Sequence, residues 1–301
     1  MSRILLLGAS GQVGAALQPL LAAHHELVTP SRSELDLADG DRLRSYLRRC
    51  RPAVIVNAAA YTAVDRAEEE PELARAINAE APAILAREAE AIGAALVHYS
   101  TDYVFDGAKG QPYTEADAPA PLNVYGRTKL AGDQAVMTGT APYLILRTSW
   151  VYGLTGRNFL LTMQRLLGEE SDVRVVDDQL GAPTWSRDIA RATAQVLAAG
   201  ADGPVEHIRL HCGLYNLSCG GQTSWHGFAA AIREDALARH GRAAPLVAVS
   251  TQEYPTPARR PTSTVLDNRR VHETFHIALP DWRDSLRQAL AEQARAQDGG
   301  E

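Results

Sequence analysis

Apolar and polar positions along the first half of the chain alternate between two periods. Short uncharged runs such as Ile4–Leu7 and Ala53–Asn57 are typical of strands buried on both faces. Between them, apolar residues recur every three or four positions, as in helices. The predicted strands are Arg3–Leu7, Leu27–Thr29, Ala53–Asn57, Ala95–Ser100 and Tyr143–Thr148. The predicted helices are Gln12–Ala23, Asp39–Cys50, Glu72–Ile92 and Tyr125–Met137. This order predicts right-handed βαβ units and therefore an α/β fold with a parallel sheet.

The regular alternation ends near Trp150. Helices are still predicted beyond it, at Phe159–Leu167, Arg187–Ala199, Trp225–Arg239 and Asp281–Ala294. Glycine and proline predict loops at Gly213–Gly221 and Tyr254–Pro261. We therefore expect one domain over residues 1–149 and a smaller one over residues 150–301, with the chain crossing back to the first.

Three glycines, Gly8, Gly11 and Gly14, lie where the first predicted strand ends and the first helix begins. Glycines at this spacing allow a tight turn and a close approach of the backbone to a pyrophosphate, which binds the free N–H groups of the helix. A preceding strand and a following helix are the context that this motif requires. The motif predicts a Rossmann doubly wound parallel sheet that binds a nicotinamide dinucleotide in residues 1–149.

The segment after the second strand bears on the choice of cofactor. Folds that prefer NAD usually place an acidic residue at this strand end, whereas this chain has Ser31 and Arg32. Arg32 could pair with a 2′-phosphate, so NADPH is the expected cofactor and NADH stays open. The alternative is a solvated surface arginine. Asp36, together with Leu37, is a candidate for the adenine side.

Tyr125 and Lys129 are four positions apart and share one helix face. A free phenol has a pKa of about 10, and a nearby ammonium lowers it. Tyr125 could then donate a proton to a carbonyl oxygen while a hydride adds to its carbon, and Lys129 could hold the ribose hydroxyls. Thr101 follows a buried strand and could donate a hydrogen bond to the same oxygen.

Together these motifs resemble the extended short-chain dehydrogenase/reductase superfamily, and within it the dTDP-4-dehydrorhamnose reductase family. The similar segments are Gly8–Gly14, Asn57–Asp65, His98–Phe105, Pro121–Leu130, Arg147–Tyr152, Asp178–Thr184 and Tyr254–Pro261. The resemblance implies Thr101, Tyr125 and Lys129 as the catalytic set. It also implies a cofactor site lined by Gly11, Gln12, Val13, Ala60, Tyr61 and Thr62.

The resemblance implies NADPH-dependent reduction of dTDP-4-dehydro-β-L-rhamnose to dTDP-L-rhamnose, for surface polysaccharide. Asp102 and Tyr103 adjoin Thr101 and are candidates for the sugar. The resemblance makes Trp150 a sugar-packing residue, with a core tryptophan as the alternative, and Asn158 is a weaker candidate. Trp185, Trp225 and Trp282 are interpreted as packing residues.

Arg259 and Arg260 lie in a loop stiffened by prolines. Guanidinium groups offer forked donors and keep their charge, which suits a diphosphate. The alternative is a surface loop whose arginines pair with carboxylates.

Two departures refine the expectation. Related nucleotide-sugar dehydratases follow the catalytic threonine with an Asp-Glu pair, whereas Thr101 is followed by Asp102 and Tyr103, which disfavours dehydration. Some reductases of the family bind Mg²⁺ at a dimer interface through a glutamate on the helix after the glycine loop. That helix begins Gly14-Ala-Ala-Leu17 here and has no carboxylate, so we predict no metal. A homodimer therefore stays open.

Composition limits the partners. The net charge of −6 argues against nucleic acid. No run approaches the roughly 18 apolar residues of a membrane span, and the first apolar run is too short for a signal peptide. The three cysteines give no disulfide framework.

We expect a cytoplasmic enzyme acting on a dTDP-linked 4-keto-6-deoxy sugar. The alternatives are another 4-keto reductase, an epimerase, or a regulatory subunit like that of methionine adenosyltransferase.

Overall fold

The computed structural model describes residues 1–169 and 171–298. Its strands are β1 (Arg3–Leu7), β2 (Glu26–Val28), β3 (Val54–Asn57), β4 (Ala95–Thr101), β5 (Tyr143–Thr148), β6 (Val151–Tyr152), β7 (Val173–Val176), β8 (Leu180–Gly181), β9 (Thr184–Trp185), β10 (Gly213–Asn216), β11 (Thr223–Ser224) and β12 (Leu246–Val249).

The α-helices are α1 (Gln12–Ala22), α2 (Gly40–Cys50), α3 (Val64–Ala67), α4 (Pro71–Arg75), α5 (Ala81–Ile92), α6 (Val124–Met137), α7 (Phe159–Glu169), α8 (Ser186–Ala198), α9 (Pro204–Leu210), α10 (Trp225–His240), α11 (Arg269–Phe275) and α12 (Trp282–Asp298). A π-helix spans Ala76–Glu80, and 3₁₀ turns span Asp102–Val104 and Thr251–Glu253.

The central sheet has six parallel strands in the order β2-β1-β3-β4-β5-β10. The predicted α/β class with a doubly wound parallel sheet is confirmed. From β1 the chain first winds to β2 and then returns to β3 on the other side of β1. Ligands of such sheets bind at the carboxyl ends of the strands beside this reversal.

Both faces of the sheet are covered, which explains the uncharged strands. In β1, Ile4 and Leu6 pack in the core with Leu17 of α1 and Ile189 of α8. The intervening Leu5 and Leu7 pack on the other face, in the core that includes residues of α2 and α5.

Polar side chains set the starts of two helices that flank the central sheet. The carboxylate of Asp39 accepts the Arg42 N–H at 3.0 Å and begins α2, as predicted. The Asn123 side chain accepts the Gly126 N–H at 2.8 Å and begins α6. Each cap satisfies a backbone donor that the helix leaves unpaired. The second cap fixes where the predicted Tyr–Lys helix starts.

The loop predicted over Gly213–Gly221 is wrong in its first part. Gly213–Asn216 is strand β10, which pairs in parallel with β5 and places Leu214 beside Ile145. Its leucine and tyrosine are buried on opposite faces. Flanking glycines and a cysteine masked this short strand, because its stability comes from a partner far away in the chain.

The helix predicted over Glu72–Ile92 is three elements: α4, the π-helix and α5. The wider turn carries Asn78, which is 1% exposed. Its side-chain carbonyl accepts the Tyr61 N–H at 2.8 Å, and its amide donates to the Tyr61 carbonyl at 3.0 Å. The π-helix therefore braces the segment after β3.

The second half of the chain builds a further apolar core, in which Leu160 of α7, Phe228 of α10 and Trp282 of α12 are buried. The division into domains near residue 150 stays a prediction. None of the helices in residues 1–169 and 171–298 combines the length and apolarity that crossing a membrane requires.

Candidate active site

A cavity of about 830 Å³ opens at the carboxyl edge of the central sheet. The predicted site residues that line it are Gly8, Gly11, Gln12, Val13, Arg32, Asp36, Leu37, Ala60, Thr62, Thr101, Asp102, Tyr103, Tyr125, Lys129, Trp150, Asn158 and Arg260. Four others do not line it: Gly14, Ser31, Tyr61 and Arg259. The size is within the range of small-molecule and cofactor sites.

The glycine loop forms one end of the cavity. Gly8 has a φ of +77°, and a Cβ there would lie 2.6 Å from the Ala59 nitrogen. Gly11 donates its N–H to the Gly8 carbonyl at 2.9 Å. A Cβ on the buried Gly14 would overlap that carbonyl oxygen, so Gly14 serves the packing of α1 against the loop. The loop thus presents the start of α1 to the cavity.

Beyond the loop, Arg32, Asp36 and Leu37 form the outer end of the same cavity. Ser31 is turned away from it. Its N–H and its hydroxyl both donate to the Glu34 carboxylate, at 2.8 and 2.7 Å.

The segment after β3 contributes Ala60 and Thr62. Tyr61 between them does not line the cavity. Its hydroxyl donates to the Glu70 carboxylate at 2.6 Å. The bracing asparagine, Asn78, was missed by sequence reasoning. The available signal was a polar residue within an alanine-rich helix.

Thr101, Tyr125 and Lys129 come together where β4 ends and α6 begins. Burial raises the pKa of Tyr125 to about 12, and a hydrogen bond with Thr101 opposes that rise. Lys129 is 2% exposed and donates from Nζ to the Tyr99 carbonyl at 2.6 Å. Burial lowers its pKa to about 8, opposed by the charge of Asp133. The arrangement can hold a proton on a phenol beside a buried ammonium.

Asp102 is a buried carboxyl next to this set. It accepts hydrogen bonds from Thr101 Oγ1 at 3.1 Å and from Ser149 Oγ at 2.8 Å. Burial raises its pKa to about 6. The ring of Tyr103 meets that of Tyr125 edge to face, with centroids 5.9 Å apart.

Two tryptophans form an aromatic wall, a name we use for Trp150 and Trp225. Their rings are stacked, and both residues line the cavity. The interpretation of Trp225 as a packing residue alone is therefore corrected. As the first residue of α10, it reaches the cavity from a distant part of the chain, which local patterns do not reveal. Trp185 and Trp282 are 3% exposed and pack in the core as predicted.

The two predicted arginines separate. Arg260 lines the cavity and pairs with both carboxylate oxygens of Asp65, at 3.0 and 2.7 Å. Arg259 is exposed, and its carbonyl accepts a hydrogen bond from Asn123 at 2.9 Å.

Asn158 lines the cavity, and its side-chain amide donates to the carbonyls of Gly153 and Thr155. Its amide donors therefore hold the loop before α7. Among residues 1–169 and 171–298, no group of three or more His, Cys, Asp or Glu side chains is placed to hold a metal ion.

The parallel sheet, the glycine loop and the Thr-Tyr-Lys arrangement define an NAD(P)H-dependent oxidoreductase of the extended short-chain dehydrogenase/reductase class. A family model described as "RmlD substrate binding domain" matches residues 1–295.

Similar proteins give a finer assignment. The dTDP-4-dehydrorhamnose reductase of Burkholderia thailandensis is 46% identical over 286 residues, covering 93% of this chain and 95% of the relative. That of Escherichia coli K12 is 43% identical over 295 residues, covering 96% and 97%. A crystal structure of the Bacillus anthracis dTDP-4-dehydrorhamnose reductase in complex with NADP superposes with a TM-score of 0.87 at 33% identity, covering 97% and 99%. This chain belongs to the dTDP-4-dehydrorhamnose reductase family.

Proposed function

We propose that this chain reduces the 4-keto group of dTDP-4-dehydro-β-L-rhamnose to give dTDP-L-rhamnose, with NADPH as the reductant. The observation that carries the proposal is that Thr101, Tyr125 and Lys129 meet in a cavity that the glycine loop also lines. The family relationship and the NADP named in the Bacillus anthracis structure support the cofactor.

The glycine loop fits a dinucleotide. The space that a Cβ at Gly8 would fill is taken by the backbone of the segment after β3, so a side chain would prevent the close turn. The turn leaves the first N–H groups of α1 open to a pyrophosphate. Gly8, Gly11, Gln12 and Val13 would hold that group, and Ala60 and Thr62 would line the path towards Lys129. When bound, NADPH supplies the hydride.

The chain's own residues handle the proton. With a pKa raised to about 12, Tyr125 keeps its proton at neutral pH and can donate it to the ketone oxygen. The charge of Lys129 stabilises the phenolate that results. The Thr101 hydroxyl, which donates its one proton to Asp102 in the structure, would turn to donate it to the ketone oxygen and so polarise the ketone.

The sugar nucleotide would lie between this set and the aromatic wall. Asp102 and Tyr103 would contact the sugar hydroxyls, and the aromatic wall would offer the sugar nucleotide a flat apolar surface. Arg260 would bind the diphosphate through guanidinium N–H groups that do not pair with Asp65, since the group has five donors. Asn158, whose donors hold its own loop, would contribute by shaping the cavity.

We further propose that Arg32 binds the 2′-phosphate of NADPH. Its side chain is exposed at the outer end of the cavity, where a phosphate could reach it. The variant Arg32→Ala should raise the KM for NADPH about tenfold and leave that for NADH unchanged, because one charge-assisted contact is lost. Equal KM values for NADPH in variant and wild type would contradict the assignment.

The test of function is loss of nicotinamide absorbance with the 4-keto sugar made from dTDP-glucose by the upstream enzymes. Consumption that depends on the keto sugar, with dTDP-L-rhamnose as product, is the expected result. Cofactor binding without consumption would favour another 4-keto sugar. A partner protein that co-purifies in equal amount, with no turnover, would favour a regulatory subunit.

A further inference from the structure

Behind Lys129, on the side of α6 that faces the sheet, lies a cluster of buried polar side chains. Each is at most 4% exposed, and the cluster consists of Asn57, His98, Ser100, Asp133 and Arg147. The reaction proposed above uses none of them. Buried charges are costly unless they are paired, so their arrangement calls for a role.

Asp133 is at the centre of this cluster. Its Oδ2 accepts a hydrogen bond from Ser100 Oγ at 2.6 Å and lies 3.6 Å from Nη2 of Arg147. Its Oδ1 lies 3.7 Å from Nε2 of His98, which in turn is 3.4 Å from Nζ of Lys129. Asp133 also follows Lys129 by one turn of α6. One carboxylate thus faces both buried cations.

The hydrogen-bond partners of His98 determine which of its ring nitrogens carries the proton. Asn57 Oδ1 accepts the Ala59 N–H at 3.3 Å, so its Nδ2 faces His98 Nδ1 at 3.1 Å and donates to it. The ring proton is then on Nε2, on the side of Asp133 and Lys129. Burial and the charge of Lys129 lower the pKa of His98 well below its usual value, so the ring is neutral.

Two buried cations, Lys129 and Arg147, and two buried carboxyl groups, Asp102 and Asp133, lie around this part of the site. The charge of Asp133 opposes the lowering of the Lys129 pKa by burial. The charges of Asp102 and Asp133 also raise the pKa of Tyr125, which keeps the phenol protonated.

We propose that Asp133 is a positioning residue: its buried carboxylate keeps Lys129 charged and holds that ammonium together with Arg147 behind the Tyr125 phenol. The role in catalysis rests on the proposed function, whereas the charge state of Lys129 does not.

Charged and titratable groups face Asp133 from each neighbouring element. Lys129 and Tyr125 are on its own helix, His98 is on β4, and Arg147 is on β5. The charge of Glu115 raises the pKa of Arg147. Of these, Lys129 has a pKa lowered to about 8, within reach of a titration.

The chain offers an unusually direct test, because Lys109 and Lys129 are its two lysines. Protein labelled with ¹³C-lysine and saturated with NADP⁺ should give one signal for each, and the signal of Lys129 can be followed with pH. Lys109 is at the surface, paired with Asp117 at 2.6 Å. Asp117→Asn is therefore the matched control for Asp133→Asn.

In Asp133→Asn the midpoint of Lys129 should fall from near pH 8 to about pH 7, because the anion that opposes burial is gone. Asp117→Asn should leave the Lys129 midpoint unchanged, and Asp133→Glu should restore it. A merely structural carboxylate would lower the melting temperature of the variant without moving that midpoint.

Kinetics give a second measure. At pH 8 the shift of midpoint would cost Asp133→Asn about a fivefold loss of kcat, with little loss at pH 6 and an unchanged KM for NADPH. A folded variant with the wild-type midpoint and pH profile would overturn the proposal.

Where Asp133→Asn does not fold, the wild type decides. A Lys129 midpoint below about pH 6, as for buried lysines without a counter-ion, overturns the proposal. If the wild type does not turn over the keto sugar but the Lys129 midpoint falls in Asp133→Asn as expected, the proposed function fails. The assignment of Asp133 as the group that keeps Lys129 charged then stands.

Discussion

The indole rings of Trp150 and Trp225 lie face to face, with centroids 3.6 Å apart and planes inclined by 5°. Trp150 holds this position with a φ of +44°, a left-handed conformation that costs a residue other than glycine about 1–3 kcal/mol. The second face of the pair is completed by Phe159, whose ring is 4.6 Å from that of Trp225. The aromatic wall is therefore a built surface and not an accident of core packing.

Gly181 should be intolerant of a side chain, because its Cβ would lie 2.6 Å from Nε1 of Trp150. We expect Gly181→Ala to displace the indole and raise the KM for the sugar nucleotide about tenfold, with a loss of about 1–3 kcal/mol in the free energy of unfolding. Steady-state kinetics and denaturant unfolding measure both. The control is Gly168→Ala in α7, where nothing lies within 4 Å and the change should stabilise by up to about 1 kcal/mol. A wild-type KM in Gly181→Ala would show that the wall does not contact substrate.

Removing the Tyr125 hydroxyl should remove the proton donor alone. Tyr125→Phe is expected to lose about 100- to 10,000-fold in kcat, while the dissociation constant for NADPH, from fluorescence titration, changes less than about twofold. Tyr254→Phe, at an exposed tyrosine, is the control and should keep full activity. Normal turnover by Tyr125→Phe would exclude the mechanism.

The neighbouring arginines should differ sharply. Arg260→Lys keeps the charge but loses the fork that pairs with Asp65, and we expect a 10- to 100-fold rise in the KM for the sugar nucleotide. Arg259→Ala should change it little, since that residue does not line the cavity. Equal effects of the two variants would refute the assignment of the diphosphate to Arg260.

The fall of kcat/KM at acid pH should depend on Asp102. Burial raises the pKa of this carboxyl to about 6, so it is ionised above that pH and protonated below it. Protonation turns one acceptor oxygen into a donor and breaks a contact with Thr101 or Ser149. We expect kcat/KM to fall about tenfold per pH unit below pH 6.

Asp102→Asn checks that attribution. The variant cannot titrate at this position, so its profile should lack the fall near pH 6 and start from a lower plateau. Persistence of the same acid limb in the variant would assign it to another group.

Local patterns were sufficient for the parts of the molecule that are built from neighbours in the chain. The strand–glycine loop–helix unit at Gly8–Gly14 and the pairing of Tyr125 with Lys129 on one helix face follow from short spacings. They place the candidate site at the carboxyl edge of the sheet, since every βαβ unit turns the same way.

Features that depend on distant partners were not predictable in this way. Trp225 meets Trp150 across 75 positions, and β10 gains its stability from β5. The π-helix at Ala76–Glu80 depends on the bonds that Asn78 makes to Tyr61 and to Thr128 of α6. In each case a long-range contact overrides the local preference, as a periodicity argument cannot anticipate.

The ion pair between Asp65 and Arg260 has a thermodynamic consequence. Asp65 follows the cofactor-side residue Thr62 by three positions, and Arg260 belongs to the loop on the sugar side, 195 positions further along the chain. A ligand that orders either segment spares part of the entropy that ordering the other would cost. NADPH and the sugar nucleotide should then each tighten the binding of the other by the same factor, since such coupling is reciprocal. The carboxylate–guanidinium contact between Asp65 and Arg260 thus links the segment on the cofactor side of the cavity to the loop on the sugar side.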